Sequence, residues 1–277
     1  MTFGLLMLPL LVAVPVGPML AWKRGDLLGA LQRVYVFAGL SLAAGLIYWY
    51  VHNGGPVMAI FALALGFWGM LGAVADLWNR AQFGKLKTSV AFRRLIGLPR
   101  SAFGTAIAHF GLGVTVLGIF SASVYGTEAV VDLKPGATVS TGGYELTFQG
   151  MKDGAGPNYT EQRGIFTVSR GGSVIGDISS SKRLFTARRQ ATTESGIRTY
   201  GLSQLYVSLG DATKDGGMVV RVWWKPLVTC IWGGALVMMF GGFVSLSDRR
   251  LRVGAPSRKA KPAKPASPAR PQMEPAE

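Results

Sequence analysis

Five apolar stretches without a charged residue dictate most of what this chain can become: Phe3 to Leu20, Val34 to Val51, Val57 to Ala75, Phe103 to Val124 and Pro226 to Leu246. Each is long enough to cross the roughly 30 Å hydrocarbon core of a bilayer as a helix, the form in which a single segment satisfies its own backbone hydrogen bonds in lipid. A hydrophobic content of 49% and a mean hydropathy of +0.32 agree. The expected fold is therefore a polytopic α-helical membrane protein with about five transmembrane helices. The first stretch lacks the basic n-region and A-x-A site of a signal peptide. Pro15 and Pro18, followed by Trp22, Lys23 and Arg24, read instead as a kinked, retained span meeting an interface.

Charge sets the expected orientation. The net charge of +15 is concentrated in Lys23, Arg24 and Arg33, in Arg80, Lys85, Lys87, Arg93, Arg94 and Arg100, and in the tail that begins Asp248-Arg249-Arg250. These are alternate loops of a five-span protein, so the positive-inside rule places them in the cytoplasm and the segment from Tyr125 to Trp224 outside. Basic loops of this kind fix topology and touch anionic lipid; no nucleic-acid partner is expected.

Between Tyr125 and Trp224 the pattern shifts to short alternating segments. Glu128 to Leu133, Tyr144 to Phe148, Ile165 to Val168, Leu205 to Leu209 and Met218 to Trp223 read as strands, and Pro135-Gly136, Gly142-Gly143, Gly171-Gly172 and Asp215 to Gly217 as turns. This predicts one external antiparallel β domain, a small barrel or sandwich. The expected organisation is membrane helices over 1–124, the β domain over 125–224, a final helix over 225–248 with Pro226 in its first turn, and a disordered basic tail over 249–277. Trp223 and Trp224 mark the re-entry to the membrane.

Within the fourth span stands His109. An intramembrane imidazole is costly unless partnered, so it either hydrogen-bonds to a neighbouring helix or ligates a metal or haem. Ala102, Thr105, Ala106 and Gly113 share its side of the helix, while Gly104, Ala108, Gly111, Thr115, Gly118 and Ala122 form a small-residue stripe for close approach of another helix. The other histidine, His52, precedes a Gly-Gly-Pro turn at the outer interface, where an exposed polar residue needs no special role. The lone Cys230 reads as a packing residue, and with no C-x-x-C-H the chain attaches no c-type haem to itself. Lys182, Arg183, Arg188, Arg189 and Arg198 form a basic run that is either a solvated face or a contact for carboxylates such as haem propionates.

The segment Ala108-His109-Phe110-Gly111 resembles the CcmF family, membrane subunits of the bacterial haem lyase. The likeness continues in order through Pro157-Asn158-Tyr159, Arg163 to Phe166, Lys182-Arg183, Thr193-Glu194, Leu205 to Gly210, Lys225 to Val228, Ile231 to Leu236 and Ser247 to Arg250. From Met1 to about Arg252 the chain is similar to the C-terminal part of that family. Ser180-Ser181 stands where the family usually has Pro-Glu, and Gln204 where an acidic residue is common.

The resemblance implies a subunit of the lyase in the bacterial inner membrane, with a periplasmic β domain and a cytoplasmic C-terminus. In this family the haem chaperone CcmE delivers haem, whose vinyl groups are joined to the thiols of apocytochrome c presented by CcmH and CcmI. A resident haem b in the bundle reduces the incoming iron. His109 matches one transmembrane axial ligand of that haem; Arg183, Arg188 and Arg189 are candidate contacts for haem or a partner. The tryptophan-rich haem-handling segment and the other ligands belong to the family's N-terminal part, which is expected as a separate partner from a split gene or as the missing half of a fragment. A non-catalytic assembly subunit that docks apocytochrome or the chaperone, and a haem or solute transporter, are the other expectations.

Overall fold

A computed structural model describes residues 2–20, 26–187 and 189–248, residues 2–5 by backbone only. Trp22, Lys23, Arg24, Arg188, Arg249, Arg250 and the tail over 249–277 lie outside the described residues. Four helices are long and apolar enough to cross a membrane: α2 (Leu27–Val51), α3 (Met58–Ala81), α5 (Arg100–Val124) and α6 (Thr229–Leu246).

The expected first span is not one helix. Helix α1 (Thr2–Ala13) stops before Pro15, whose ring and missing N–H oppose a helical turn, and a short 3-10 turn over Gly17–Met19 follows. Twelve residues rise only about 18 Å, short of the hydrocarbon core. Other boundaries move outward. Asp26 caps α2 by accepting from the Gly29 N–H at 3.0 Å, which brings Arg33 inside the helix rather than in a loop. Helix α3 continues past Ala75 through Asp76 and Arg80 to a left-handed stop at Gln82. The basic loop beyond contains a helix that the apolar runs did not reveal, α4 (Thr88–Ile96).

The spans pack side by side in the order α2, α3, α5, α6, with backbones brought together at small residues. Gly45 of α2 meets Ile60 and Ala64; Gly69 of α3 meets Gly113 of α5; Gly104, Gly111 and Gly118 of α5 meet Gly241, Gly234 and Cys230 of α6. The stripe expected from the sequence is thus the α5–α6 seam. At one end of this seam the Asp248 carboxylate accepts from the Ser101 N–H at 3.1 Å, capping α5 from the far end of α6.

The β domain is a sandwich rather than a barrel. One antiparallel sheet has the order β1 (Thr127–Leu133), β9 (Met218–Lys225), β8 (Ser203–Ala212), β7 (Gly196–Tyr200). The other has β2 (Thr138–Thr141), β3 (Tyr144–Ala155), β4 (Tyr159–Arg170), β5 (Ser173–Phe185), β6 (Gln190–Glu194). Alternate residues face inward, as a strand's two-residue period requires, so that Leu146, Phe148, Phe166 and Val168 meet Leu205, Val207, Val220 and Val222. No alternating apolar run predicts β2, β5, β6 or β7; Thr and Ser make up ten of their 27 residues, and they carry few of the inward apolar positions.

Phe148 and Phe166 are almost fully buried, with ring centroids 5.1 Å apart. Phe166→Ala is expected to destabilise the sandwich by about 3–5 kcal/mol. Urea titration of proteolytic resistance in the detergent-solubilised chain reads this directly, and a change below about 1 kcal/mol would contradict the buried pair.

Two further details correct the expected re-entry. Pro226 precedes the helix, and α6 begins at Thr229 after Leu227 turns the chain with φ of 51°. Trp224 packs under the sandwich against Tyr144, with centroids 4.8 Å apart, while Arg221 lies over Trp223. The β7–β8 turn then fastens the domain to α6: Leu202 O accepts from the Thr229 hydroxyl at 2.8 Å, and the Ser203 hydroxyl accepts from the Leu227 N–H at 3.3 Å.

Candidate functional site

His109 sits in the middle of α5, the span flanked on both sides, and is half-buried. Its backbone is held close to α3, because a Cβ added at Gly69 would lie 3.8 Å from the His109 carbonyl oxygen. Ala102, Ala106 and Gly113 are buried, and α3 occupies part of the space these small residues leave. Among the described residues the imidazole takes part in no hydrogen bond. Among the described residues no neighbouring helix supplies that hydrogen bond.

One more ionisable group lies on this seam. Asp76 of α3 is only 4% exposed; its Oδ1 accepts from Arg80 Nε at 2.8 Å, and its Oδ2 is buried with no hydrogen-bond partner among the described residues. Sequence reasoning missed it by ending the span at Ala75. The signal was present in the spacing, since Gly69, Ala73 and Asp76 recur at four and three residues and share the face of α3 that meets α5.

The space beside these groups bears on the haem. An apolar pocket of about 170 Å³ lies between Ala73, Val74 and Leu77 of α3 and Ala106, Ile107 and Phe110 of α5. That is below the roughly 300 Å³ at the small end of ligand sites. A porphyrin does not fit between these helices, so a haem held by the half-buried His109 would have to lie at the surface of the bundle. The donor chemistry is also suitable, since neutral imidazole is a common axial ligand of haem iron.

The external basic run is largely committed within the sandwich. Arg183 Nε donates to Glu161 Oε2 at 3.0 Å, its guanidinium lies over the Tyr159 ring, and Arg163 donates to the other Glu161 oxygen. Lys182 pairs with Asp211 at 2.8 Å, and Arg198 donates to the Asp177 carbonyl. Arg189 stands exposed in a left-handed turn. Of the candidate contacts, Arg183 is thus tied into an ion-pair network and Arg189 is solvated.

The hydrogen bond from Arg183 outweighs the opposing effect of burial and, with that from Arg163, holds the Glu161 carboxyl below the usual carboxylate range. A depressed folded-state value means that this stabilisation is present above the unfolded value of about 4.3 and is lost as pH falls through the folded one. Proteolytic resistance of the sandwich is expected to fall on acidification below about pH 4.3, and Glu161→Gln to flatten that fall. An unchanged acid profile in the variant would remove Glu161 from the cause.

At the other end of the spans His52 closes α2. Its Nδ1 lies 2.9 Å from the Tyr48 carbonyl oxygen, and its ring stacks on Tyr48 at 4.0 Å and against Tyr125 at 5.3 Å. The Tyr48 hydroxyl meets the Ser121 hydroxyl at 2.6 Å, joining α2 to α5. Cys230 packs where Gly118 approaches α6. Among the described residues no group of three His, Cys, Asp or Glu side chains is arranged to hold a metal ion.

Comparisons with known proteins match these features. Residues 124–226 match the family model described as the CcmF C-terminal beta-sandwich. The cytochrome c-type biogenesis protein CycK of Rhizobium meliloti (strain 1021) is 64% identical over 94% of this chain and 39% of its own length. CcmF of Pseudomonas aeruginosa is 37% identical over 91% of this chain and 38% of its own, and CcmF of Escherichia coli (strain K12) 29% identical over 94% and 39%. The solved structure of the cytochrome c heme lyase CcmF shares the fold, with a TM-score of 0.67 at 21% identity over 88% of this chain and 40% of that one. The chain thus spans about two fifths of the length of the relatives it matches. It belongs to the CcmF family of cytochrome c biogenesis proteins and corresponds to the C-terminal part of that family.

Proposed function

We propose that this chain supplies the C-terminal part of the haem lyase of c-type cytochrome biogenesis, with His109 as one axial ligand of a membrane-held haem b. The observation that carries the reading is a half-buried intramembrane imidazole with no hydrogen bond among the described residues, on the span that α3 and α6 lock in place. The bound group would supply a one-electron centre for reducing the iron of haem in transit. This chain's own task is to hold an imidazole nitrogen at a fixed depth, on a helix whose glycine contacts leave it little freedom to shift. Its second ligand and the wall that encloses the porphyrin would come from the N-terminal part.

The sandwich has no histidine, and its contribution would be to dock: apocytochrome c, the chaperone CcmE, or the thiol-presenting subunits CcmH and CcmI. Its fastening to α6 through Leu202 and Ser203 would hold such a partner at a set distance from the membrane. In this reading the sandwich is periplasmic, the C-terminus is cytoplasmic, the membrane is the bacterial inner membrane, and thioether formation requires the N-terminal part. The same fastening favours a second reading, a non-catalytic subunit that only docks these partners.

The deciding experiment is the dithionite-reduced absorption spectrum of this chain copurified with the N-terminal part of the lyase. The lyase reading expects a b-type haem spectrum. A stable pair without haem would overturn it in favour of docking alone.

A further inference from the structure

The loop between α3 and α5 holds an amphipathic surface with no partner among the described residues. From Gln82 to Arg100 it contains five cations and no acid. Helix α4 divides these sharply. At about 100° per residue Ala91 and Leu95 fall on one flank, Phe92 and Ile96 on the adjoining apolar face, and Arg93 and Arg94 across the axis. Ala91 is fully buried and docks the helix, whereas Phe92 is 56% and Ile96 70% exposed. Arg94 donates to Gln82 at 2.8 Å; Lys85, Lys87 and Arg93 have no ion pair among the described residues.

The position of this helix limits what can cover it. Its two neighbours are spans, and only residues 82–87 and 97–99 separate it from Ala81 and Arg100, so it is pinned at the level where both leave the bilayer. Trp78, 46% exposed and packed on Phe83 at 4.7 Å, stands at the same end of α3, where indoles favour the interface. A short amphipathic helix at this depth, apolar on one face and cationic on the other, has the composition of an interfacial anchor.

We propose that α4 lies in the membrane surface, with Phe92 and Ile96 in the acyl boundary and Arg93 with Lys85 and Lys87 binding the phosphates of anionic phospholipids. Each cation near such a surface is attracted by the leaflet's negative potential over about a Debye length, so the anchoring is selective for lipid charge. The proposal rests on the membrane fold and not on the assignment of His109, and the haem spectrum does not bear on it.

Because Cys230 is the chain's single cysteine, Cys230→Ser gives a background for spin labels at positions 90, 92, 93 and 96, one at a time. The full chain, copurified with the N-terminal part, is reconstituted in phosphatidylcholine vesicles with and without phosphatidylglycerol. Labels at 92 and 96 are expected to relax with oxygen and labels at 90 and 93 with a water-soluble nickel complex, with the contrast at least halved when phosphatidylglycerol is omitted or Arg93 and Arg94 are both changed to Gln. Access of the nickel complex to all four positions would show a solvated helix. Exclusion of both reagents at 92 and 96 would show a protein cover, and a contrast indifferent to lipid charge would remove the headgroup site; each result overturns the proposal.

Discussion

His109→Ala, introduced into the chain assembled with its N-terminal part, is expected to abolish or strongly alter the b-type haem spectrum while the complex still assembles. The two effects separate because of what the imidazole does not do. Among the described residues it makes no hydrogen bond, and it is only half-buried, so its loss removes some packing and leaves none of their buried donors or acceptors orphaned. A stability change of about 1 kcal/mol is the ordinary outcome of such a truncation. On the proposed ligation His109 would hold the haem iron through an imidazole nitrogen, and loss of that donor would change the spectrum. His52→Ala is the matched control: that ring stacks on Tyr48 at the end of α2, and its removal is expected to leave the haem bands in place. If the His109→Ala complex keeps the wild-type reduced spectrum and matures cytochrome c normally, His109 packs and nothing more, and docking by the sandwich becomes the leading function. Restoration of a shifted b-type spectrum by added imidazole would tie the loss to coordination itself.

Sequence reasoning reached some of this site and not the rest, for identifiable reasons. His109 was legible because one polar side chain in an apolar run is conspicuous, and the seam through Gly104, Gly111 and Gly118 was legible because small residues at helical spacing have one common use in a membrane. Asp76 was hidden by the same hydropathy logic: a run is ended where charge begins, yet α3 continues and buries the carboxylate. The apolar composition of Phe3 to Leu20 masked the effect of Pro15, since hydropathy is blind to backbone geometry. In the sandwich, the central strands were visible from Leu205, Val207, Val220 and Val222, whereas β5 was not, because Ser179, Ser180 and Ser181 fill its middle. Ser180 is nonetheless buried, donating to the Glu194 carbonyl at 2.7 Å and accepting from the Leu209 N–H at 3.2 Å, a pairing between sheets that no local pattern announces. The commitment of Arg183 to Glu161 is of the same kind: its partner is on another strand.

Gly111→Ala and Gly234→Ala are each expected to lower the thermal stability of the solubilised chain substantially, by about 1–3 kcal/mol, and together by clearly less than the sum. A Cβ at Gly111 would stand 2.7 Å from both the Gly234 carbonyl oxygen and the Met238 nitrogen. One at Gly234 would stand 2.5 Å from the Gly111 carbonyl oxygen and 2.6 Å from the Thr115 nitrogen. Most of these neighbours are backbone, so no rotamer change relieves the overlap and the helices must separate. Carbon atoms settle at about 3.5–4.0 Å, and a separation of that order forfeits dispersion contacts along the whole α5–α6 seam. Either methyl group forces the same separation, and once it has occurred the second finds much of its space already made. Subadditivity is therefore the specific signature of this seam. Summed losses in the double variant would mean that the two glycines act at different places, and the α5–α6 packing that fixes the depth of His109 would be wrong.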